Sequence, residues 1–103
     1  MANSPIEKEV SVTRRSYPSQ VSNNGIIELN AGEKSAAMLV ISLFRYGYGN
    51  TGVIDPSVDL SNGIPIPGHR SISLLKNSSG NYVVSTTSTD ALYVNIVSIN
   101  AQS

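Results

Sequence analysis

The spacing of the apolar segments is the feature of this sequence that most restricts its fold. The segments are short, and Gly, Pro, Asn or Asp interrupts them at intervals of about 8 to 12 residues. Most alternate apolar and polar residues, which is the period of a β-strand, and no longer window has helical periodicity. The pattern predicts an all-β protein, a single small antiparallel β-sandwich or jelly-roll-like barrel of about six to eight strands.

The most apolar segment covers residues 37–44. Along it, Leu39, Ile41 and Leu43 alternate with Met38, Val40 and Phe44. Side chains on a strand point to opposite faces in turn, so both faces of this strand are apolar and need cover. The segment is predicted to be a central strand.

The second half of the sequence predicts a hairpin and a closing strand. Residues 71–75 and 82–85 are apolar-alternating, and the turn residues 77–81 separate them. In the last segment, 92–99, Leu92, Val94 and Ile96 are predicted to face inward. Shorter strands are expected at 26–29 and 53–54, and residues 30–34 are expected to form a turn whose charges lie in water.

The N-terminal segment is one alternating stretch followed by a turn signal. Residues 7–17 alternate with a period of two, and Asn24-Gly25 is a tight-turn signal. Residues 1–24 are therefore interpreted as an extended arm or edge strand, and residues 25–103 as the β-sandwich domain. Such an arm can add a strand to the exposed sheet edge of another subunit, with Val10 and Val12 setting the register.

Composition excludes several classes of function. Seven basic and seven acidic residues give a net charge of +0, and the only basic pair is Arg14-Arg15, so no nucleic-acid surface is expected. The chain has no Cys, which excludes disulfides and thiolate metal sites. No segment reads as a membrane span or a signal peptide, and no cofactor is expected. Charged residues are only 14% of the chain, which favours a surface that is covered in an assembly.

The order of the segments resembles a group of small β-sandwich proteins of tailed bacteriophages, which are virion components of the head-decoration, head-fibre or tail-accessory type. The resemblance covers about residues 26–99. The segments that carry it are Ile26-Ile27-Glu28-Leu29-Asn30-Ala31-Gly32, Leu39-Val40-Ile41-Ser42-Leu43, Gly52-Val53-Ile54-Asp55, Val58-Asp59, Asn62-Gly63-Ile64-Pro65-Ile66-Pro67-Gly68, Ser71-Ile72-Ser73-Leu74, Tyr82-Val83-Val84-Ser85 and Leu92-Tyr93-Val94-Asn95-Ile96. The resemblance implies a role in assembly and no catalytic residue.

Two groups of residues are candidates for a protein interface. The first is in the N-terminal segment, and the second is at the end of the apolar segment 37–44 and in an aromatic loop predicted at 45–52. The candidates are Val10, Val12, Arg14, Arg15, Tyr17, Phe44, Arg45, Tyr46 and Tyr48. Tyr and Arg are typical interface anchors, but the same loop could stack on a glycan or pack over the end of the sandwich.

Other candidate chemistry has a simpler interpretation. His69 is the only histidine and has no neighbouring acid or nucleophile motif, so a surface or packing role is expected rather than that of a hydrolase base. Asp55 and Asp59, with Asn50 or Asn62, could offer oxygen ligands to calcium, but the spacing fits turns as well.

The sequence therefore predicts a non-enzymatic structural protein of a phage virion, made in the host cytoplasm. Its expected partners are capsid or tail subunits and further copies of itself, as in capsid decoration or head-tail assembly. The alternative is a glycan- or receptor-binding module of a phage fibre or tail.

Overall fold

The computed structural model describes residues 10–58 and 62–101, and within these ranges it contains eight β-strands and one helical turn. The strands are β1 (Val10–Ser16), β2 (Ile26–Ile27), β3 (Met38–Arg45), β4 (Tyr48–Ile54), β5 (Ile64–Pro65), β6 (Ile72–Lys76), β7 (Tyr82–Thr86) and β8 (Tyr93–Ala101). The helical turn α1 (Ala31–Lys34) lies between β2 and β3. None of the described helical residues forms a segment long and apolar enough to cross a membrane.

The strands form two four-stranded antiparallel sheets that face each other. One has the order β1-β8-β3-β4 and the other β2-β7-β6-β5. The chain changes sheet four times between consecutive strands, but β3–β4 and β5–β6–β7 stay in one sheet as hairpins. The predicted small antiparallel β-sandwich is confirmed.

The core lies between the sheets and is aliphatic apart from Tyr82. Alternate residues of β3, β4, β6, β7 and β8 point into it, as the period of two predicts, whereas β1 contributes no buried residue. The buried apolar residues are Val21, Ile27, Leu29, Ala36, Leu39, Ile41, Leu43, Ile54, Ile66, Ile72, Leu74, Tyr82, Val84, Leu92, Val94 and Ile96.

Several sequence predictions are confirmed at the level of single elements. The apolar segment is β3, which lies between β8 and β4. The predicted hairpin is β6–β7, where Asn77 Oδ1 accepts the N–H groups of Ser79 and Asn81. Asn24 has a φ of 66°, as the Asn24-Gly25 turn requires.

The predicted loop at 45–52 is wrong, because most of it is the strand β4. Arg45 pairs with Tyr48, so the turn has only two residues, and Gly47 takes a φ of 83° there. Gly52 lies close to the opposite sheet, since a Cβ at this position would lie 2.5 Å from Ile66 Cδ1 and would displace the end of that side chain. The glycines thus serve a tight hairpin and a close sheet contact rather than flexibility.

The prediction that the charges of residues 30–34 lie in water is wrong for Glu33. Asn30 caps α1 by accepting the Glu33 N–H at 2.8 Å, and the Glu33 carboxylate accepts the Asn30 N–H at 2.9 Å. This capping box turns Glu33 inward, where it is buried.

In the N-terminal segment, residues 10–16 form β1, an edge strand of the sandwich that pairs with β8 from Val10↔Ala101 to Ser16↔Asn95. The following residues are also bonded to the sandwich, since Val21 and Leu92 exchange two backbone hydrogen bonds of 2.8 Å. The rest of the predicted arm, residues 1–9, lies outside the described residues.

Candidate interaction surface

The sheet β1-β8-β3-β4 turns an apolar outer face away from the core. Two rows of side chains cross this face, because the strand register places them side by side. One row is Val53, Val40 and Val97, and the other is Met38, Ile99 and Val12. We call these six residues the aliphatic patch. Val53, Val12 and Met38 are 61, 50 and 40% exposed, and the other three are half-buried. No described residue of another element packs over the patch as a second layer.

Polar residues border the aliphatic patch on one side. The next row of the sheet contains Thr51, Ser42, Asn95 and Ser16, and the Ser42 and Thr51 hydroxyls lie 3.1 Å apart. Beyond it, the rings of Phe44 and Tyr93 stack with centroids 5.6 Å apart. An apolar area with a polar rim is the arrangement found at protein interfaces.

A shallow depression of about 230 Å³ lies where the outer face meets β1. Its lining includes Arg14, Ser16, Asn95 and Val97, and Arg14 lies opposite Val97 at the end of a patch row. Arg14 is exposed, and the methylene stem of such a side chain can cover apolar surface while its charge stays in water. Arg14 therefore extends the aliphatic patch towards the sheet edge and gives it one positive charge.

Arg15 and Tyr17 were predicted interface residues, but their side chains point to the opposite side of the sheet from Arg14. Arg15 donates from Nε and Nη2 to the two carboxylate oxygens of Glu33, at 2.9 and 2.6 Å, and this contact raises the Arg15 pKa. Its guanidinium also lies 5.3 Å from the centre of the Tyr17 ring. The Tyr17 hydroxyl accepts the Glu28 N–H at 3.0 Å. These two residues fasten β1 to the segment that includes α1.

Tyr48 and Arg45 are likewise committed to contacts within the chain. The Tyr48 hydroxyl donates to Asp90 Oδ2 at 2.8 Å, and Arg70 and His69 lie against its ring at 4.7 and 5.9 Å. Arg45 donates from Nη1 to the Ala91 carbonyl at 2.8 Å. The two residues connect the start of β4 and the end of β3 to the loop before β8.

Tyr46 is separated from Tyr48 and is 84% exposed at the tip of the β3–β4 turn. The predicted pair of rings is therefore not one platform, because Tyr48 is hydrogen-bonded and covered while Tyr46 extends into solvent alone. Of the nine predicted interface residues, Val10, Val12, Arg14 and Phe44 share the outer face. Tyr46 is exposed at its end.

The other candidate residues have structural contacts. His69 is exposed and stacks on Tyr48. Asn50 is buried, its amide nitrogen donates to the carbonyls of Ile66 and Arg70, and its Oδ1 accepts the Arg70 N–H at 3.3 Å, so both ends of its amide are bonded within the chain. The hydroxyl and N–H of Ser57 both donate to Asp55, and these bonds hold the Asp55 pKa below its ordinary value.

Asp59, the second predicted calcium ligand, lies outside the described residues. Over residues 10–58 and 62–101 there is no group of three or more His, Cys, Asp or Glu side chains placed to hold a metal ion.

Sequence reasoning missed five residues as parts of one surface, namely Met38, Val40, Val53, Val97 and Ile99. A signal for them was present, since β3 and β8 are apolar on both faces and need cover on both. Their assembly into rows depends on the pairing of β8 with both β1 and β3, which no local pattern gives.

Comparison of the chain with family models, curated proteins and solved structures found no match.

Proposed function

We propose that this chain is a non-enzymatic structural protein of a tailed-phage virion, which binds capsid or tail subunits through the aliphatic patch and so decorates or stabilises the particle. The observation that carries the proposal is the aliphatic patch, which the described residues leave partly exposed, on a sheet whose inner face already closes the core. The resemblance of the segment order to small virion β-sandwich proteins supplies the kind of partner.

Physical chemistry supports a covered rather than a solvated state for this face. Apolar surface removed from water gives about 25 cal/mol per Å², so six adjacent aliphatic side chains favour association with a complementary surface. Few charges would lose water when this face is covered. Arg14 is the one charged side chain that the described strands place on it, and charged residues are only 14% of the chain. The Phe44 and Tyr93 rings add aromatic area next to the patch, as is common at interfaces.

The test is binding to phage particles that lack the chain, prepared from a phage with the gene deleted. Purified chain is added back, and the bound copies are measured by sedimentation with the particles. We expect saturable binding by the wild type and a fall in affinity of about tenfold or more for Val53→Lys, because a lysine would place a charge inside the apolar contact.

Ile26→Lys is the matched control, since Ile26 is an exposed aliphatic residue, 49% exposed, on an edge strand of the opposite sheet. It should bind like the wild type. Absence of wild-type binding to heads and tails, or equal affinity of Val53→Lys and the wild type, would refute the proposal.

A second candidate function, a glycan- or receptor-binding module of a fibre or tail, is favoured by the exposure of Tyr46. Its ring is free at the hairpin tip, 84% exposed, as a ring that stacks on a sugar must be. This alternative expects saturable binding of a host surface polysaccharide that is lost in Tyr46→Ala and retained in Val53→Lys. The reverse pattern supports particle assembly.

A further inference from the structure

Three of the four sheet edges in the described part of the chain are protected. β2 and β5 are only two residues long, and β5 contains Pro65, which has no N–H to offer. β4 is long, but the segment 67–69 covers its edge. Thr51 N–H donates to the Pro67 carbonyl at 3.0 Å, His69 N–H donates to the Gly49 carbonyl at 3.4 Å, and Asn50 forms a bridge with Gly68.

The fourth edge, on β1, has none of these devices. β1 is seven residues long, and among the described residues it pairs only with β8. The Tyr17 N–H donates to the Val94 carbonyl at 2.8 Å. Because the backbone groups of every second residue point to the same side of a strand, those of Arg15, Thr13 and Ser11 also point towards β8. The N–H and C=O groups of Val10, Val12 and Arg14 therefore point away from the sheet.

The side chains on this edge do not repel a further strand. Val10 and Val12 are 61 and 50% exposed, and within β1 (Val10–Ser16) Arg14 is the only charged residue whose backbone groups face outward. Natural sheets usually shield such an edge with charge, proline or a bulge. An exposed apolar edge with free backbone groups is a site for strand addition.

We infer that two copies of this chain pair through β1, antiparallel and around a two-fold axis close to Val12, to form one continuous eight-stranded sheet. A strand edge is complementary to itself when the copies are antiparallel, because each outward N–H meets a C=O of the other copy. This contact is made by the backbone edge of β1, where Val12 is the one residue it shares with the aliphatic patch, so it goes beyond the proposed function and does not depend on particle binding.

Side chains and charges favour a second copy as the occupant of this edge. With the axis close to Val12, the row Met38–Ile99–Val12 continues into the same row of the partner copy, and the apolar face becomes continuous. The two Arg14 side chains then lie on either side of the axis and oppose valines rather than each other. Like charges directly opposite would destabilise the pair, which excludes registers centred on Arg14.

The test is the mass of the full chain in solution, measured by sedimentation over a wide range of concentrations. We expect a dimer, twice the 10.9 kDa of one chain. Val12→Lys should weaken dimerisation about tenfold or more, and Val12→Pro should do the same by removing an outward N–H. Ile26→Lys is the control, because Ile26 and Val12 are 49 and 50% exposed and both lie on edge strands. It should dimerise like the wild type.

Single cysteines test the geometry, since the chain has none of its own. Val12→Cys should give a covalent dimer with a short bis-maleimide, because residues opposite or diagonal across paired strands lie within about 8 Å. Ile26→Cys should remain uncrosslinked. Circular dichroism of each variant checks that the sandwich is folded.

A wild-type chain that is monomeric at every concentration would overturn the inference, as would a dimer that Val12→Lys leaves intact. The particle-binding test distinguishes the dimer inference from the proposed function. A monomer that binds particles through Val53 refutes only the dimer, and a β1 dimer that ignores particles refutes only the virion role.

Discussion

At the residue scale, two buried polar side chains have opposite surroundings. The Glu33 carboxylate accepts bonds from Arg15 Nε, Arg15 Nη2 and the Asn30 N–H, so its burial is compensated. The hydroxyl of Tyr82 is buried in the core and has no hydrogen-bond partner among the described residues. A buried polar group without a partner costs about 1 to 3 kcal/mol. The Tyr82 hydroxyl therefore lowers the stability of the fold, although the Tyr82 ring fills part of the core.

The change Tyr82→Phe tests this cost. It keeps the ring and removes the unpaired hydroxyl, so we expect the free energy of unfolding at pH 7 to stay equal or to rise by up to about 1 kcal/mol. Urea denaturation of the two proteins measures the difference. A loss above about 1 kcal/mol would show that the hydroxyl has a partner.

Alkaline pH gives a second readout of the same change. Burial raises the Tyr82 pKa from 10.0 to about 12. The unfolded tyrosine therefore ionises first, and stability present below pH 10 is lost as the pH rises towards 12, by up to about 2 to 3 kcal/mol. Tyr82→Phe should retain this amount, so its unfolding curve should depend less on pH in that window. Parallel curves for the two proteins would contradict the burial of the hydroxyl.

At the element scale, the sequence predicts strands well because their signals are local. The alternation in β1, β3, β6, β7 and β8 depends on neighbouring residues and on turn chemistry, such as that of Asn77 and Gly80. Most of β4 was predicted as a loop because Gly49, Asn50 and Gly52 have weak strand propensity alone. Pairing with β3 and the cover from 67–69 override that propensity.

The candidate surface was predictable only in part for a similar reason. Val10 and Val12 are exposed on the outer face and Phe44 is half-buried there, as an alternating strand pattern indicates. Arg15 and Tyr48 were predicted in the same set, but their partners Glu33 and Asp90 are distant in sequence, and no local pattern pairs them. Burial of a charged side chain by a distant partner is a tertiary event.

The cover over β4 makes an element-scale prediction. A Cβ on Gly68 would lie 2.4 Å from the Gly49 carbonyl oxygen, which belongs to the backbone and cannot rotate away. Gly68→Ala should therefore push the segment 67–69 off β4 and cost about 1 to 3 kcal/mol of stability. Hydrogen exchange should show faster exchange at the Thr51 amide, which bonds to Pro67.

Gly32→Ala is the control for this prediction. A Cβ at Gly32 would meet only Asn30 Oδ1, at an ordinary distance of 3.5 Å, and Gly32 lies in α1, where alanine is preferred. We expect unchanged or slightly raised stability. Equal stability of Gly68→Ala and the wild type would show that the segment 67–69 does not depend on this close approach.

At the scale of the whole molecule, β1 ties the inferred dimer to the stability of the sandwich. One edge of β1 pairs with β8 within the chain. In the inferred dimer its other edge pairs with a second copy, so β1 has a hydrogen-bonded strand on both sides. Association that requires the folded state stabilises that state by mass action. Unfolding of the chain should therefore depend on its concentration.

We expect the midpoint of thermal unfolding to rise by about 3 °C for each tenfold increase in chain concentration while the dimer is the main folded species. Val12→Lys should reduce this dependence, since more of the folded chain is then monomer, which unfolds without dissociation, and Ile26→Lys should retain it. Calorimetry over a hundredfold range of concentration makes the measurement. A wild-type midpoint that is independent of concentration would show that folding is not coupled to dimerisation. It would contradict the inferred pairing of two copies through β1.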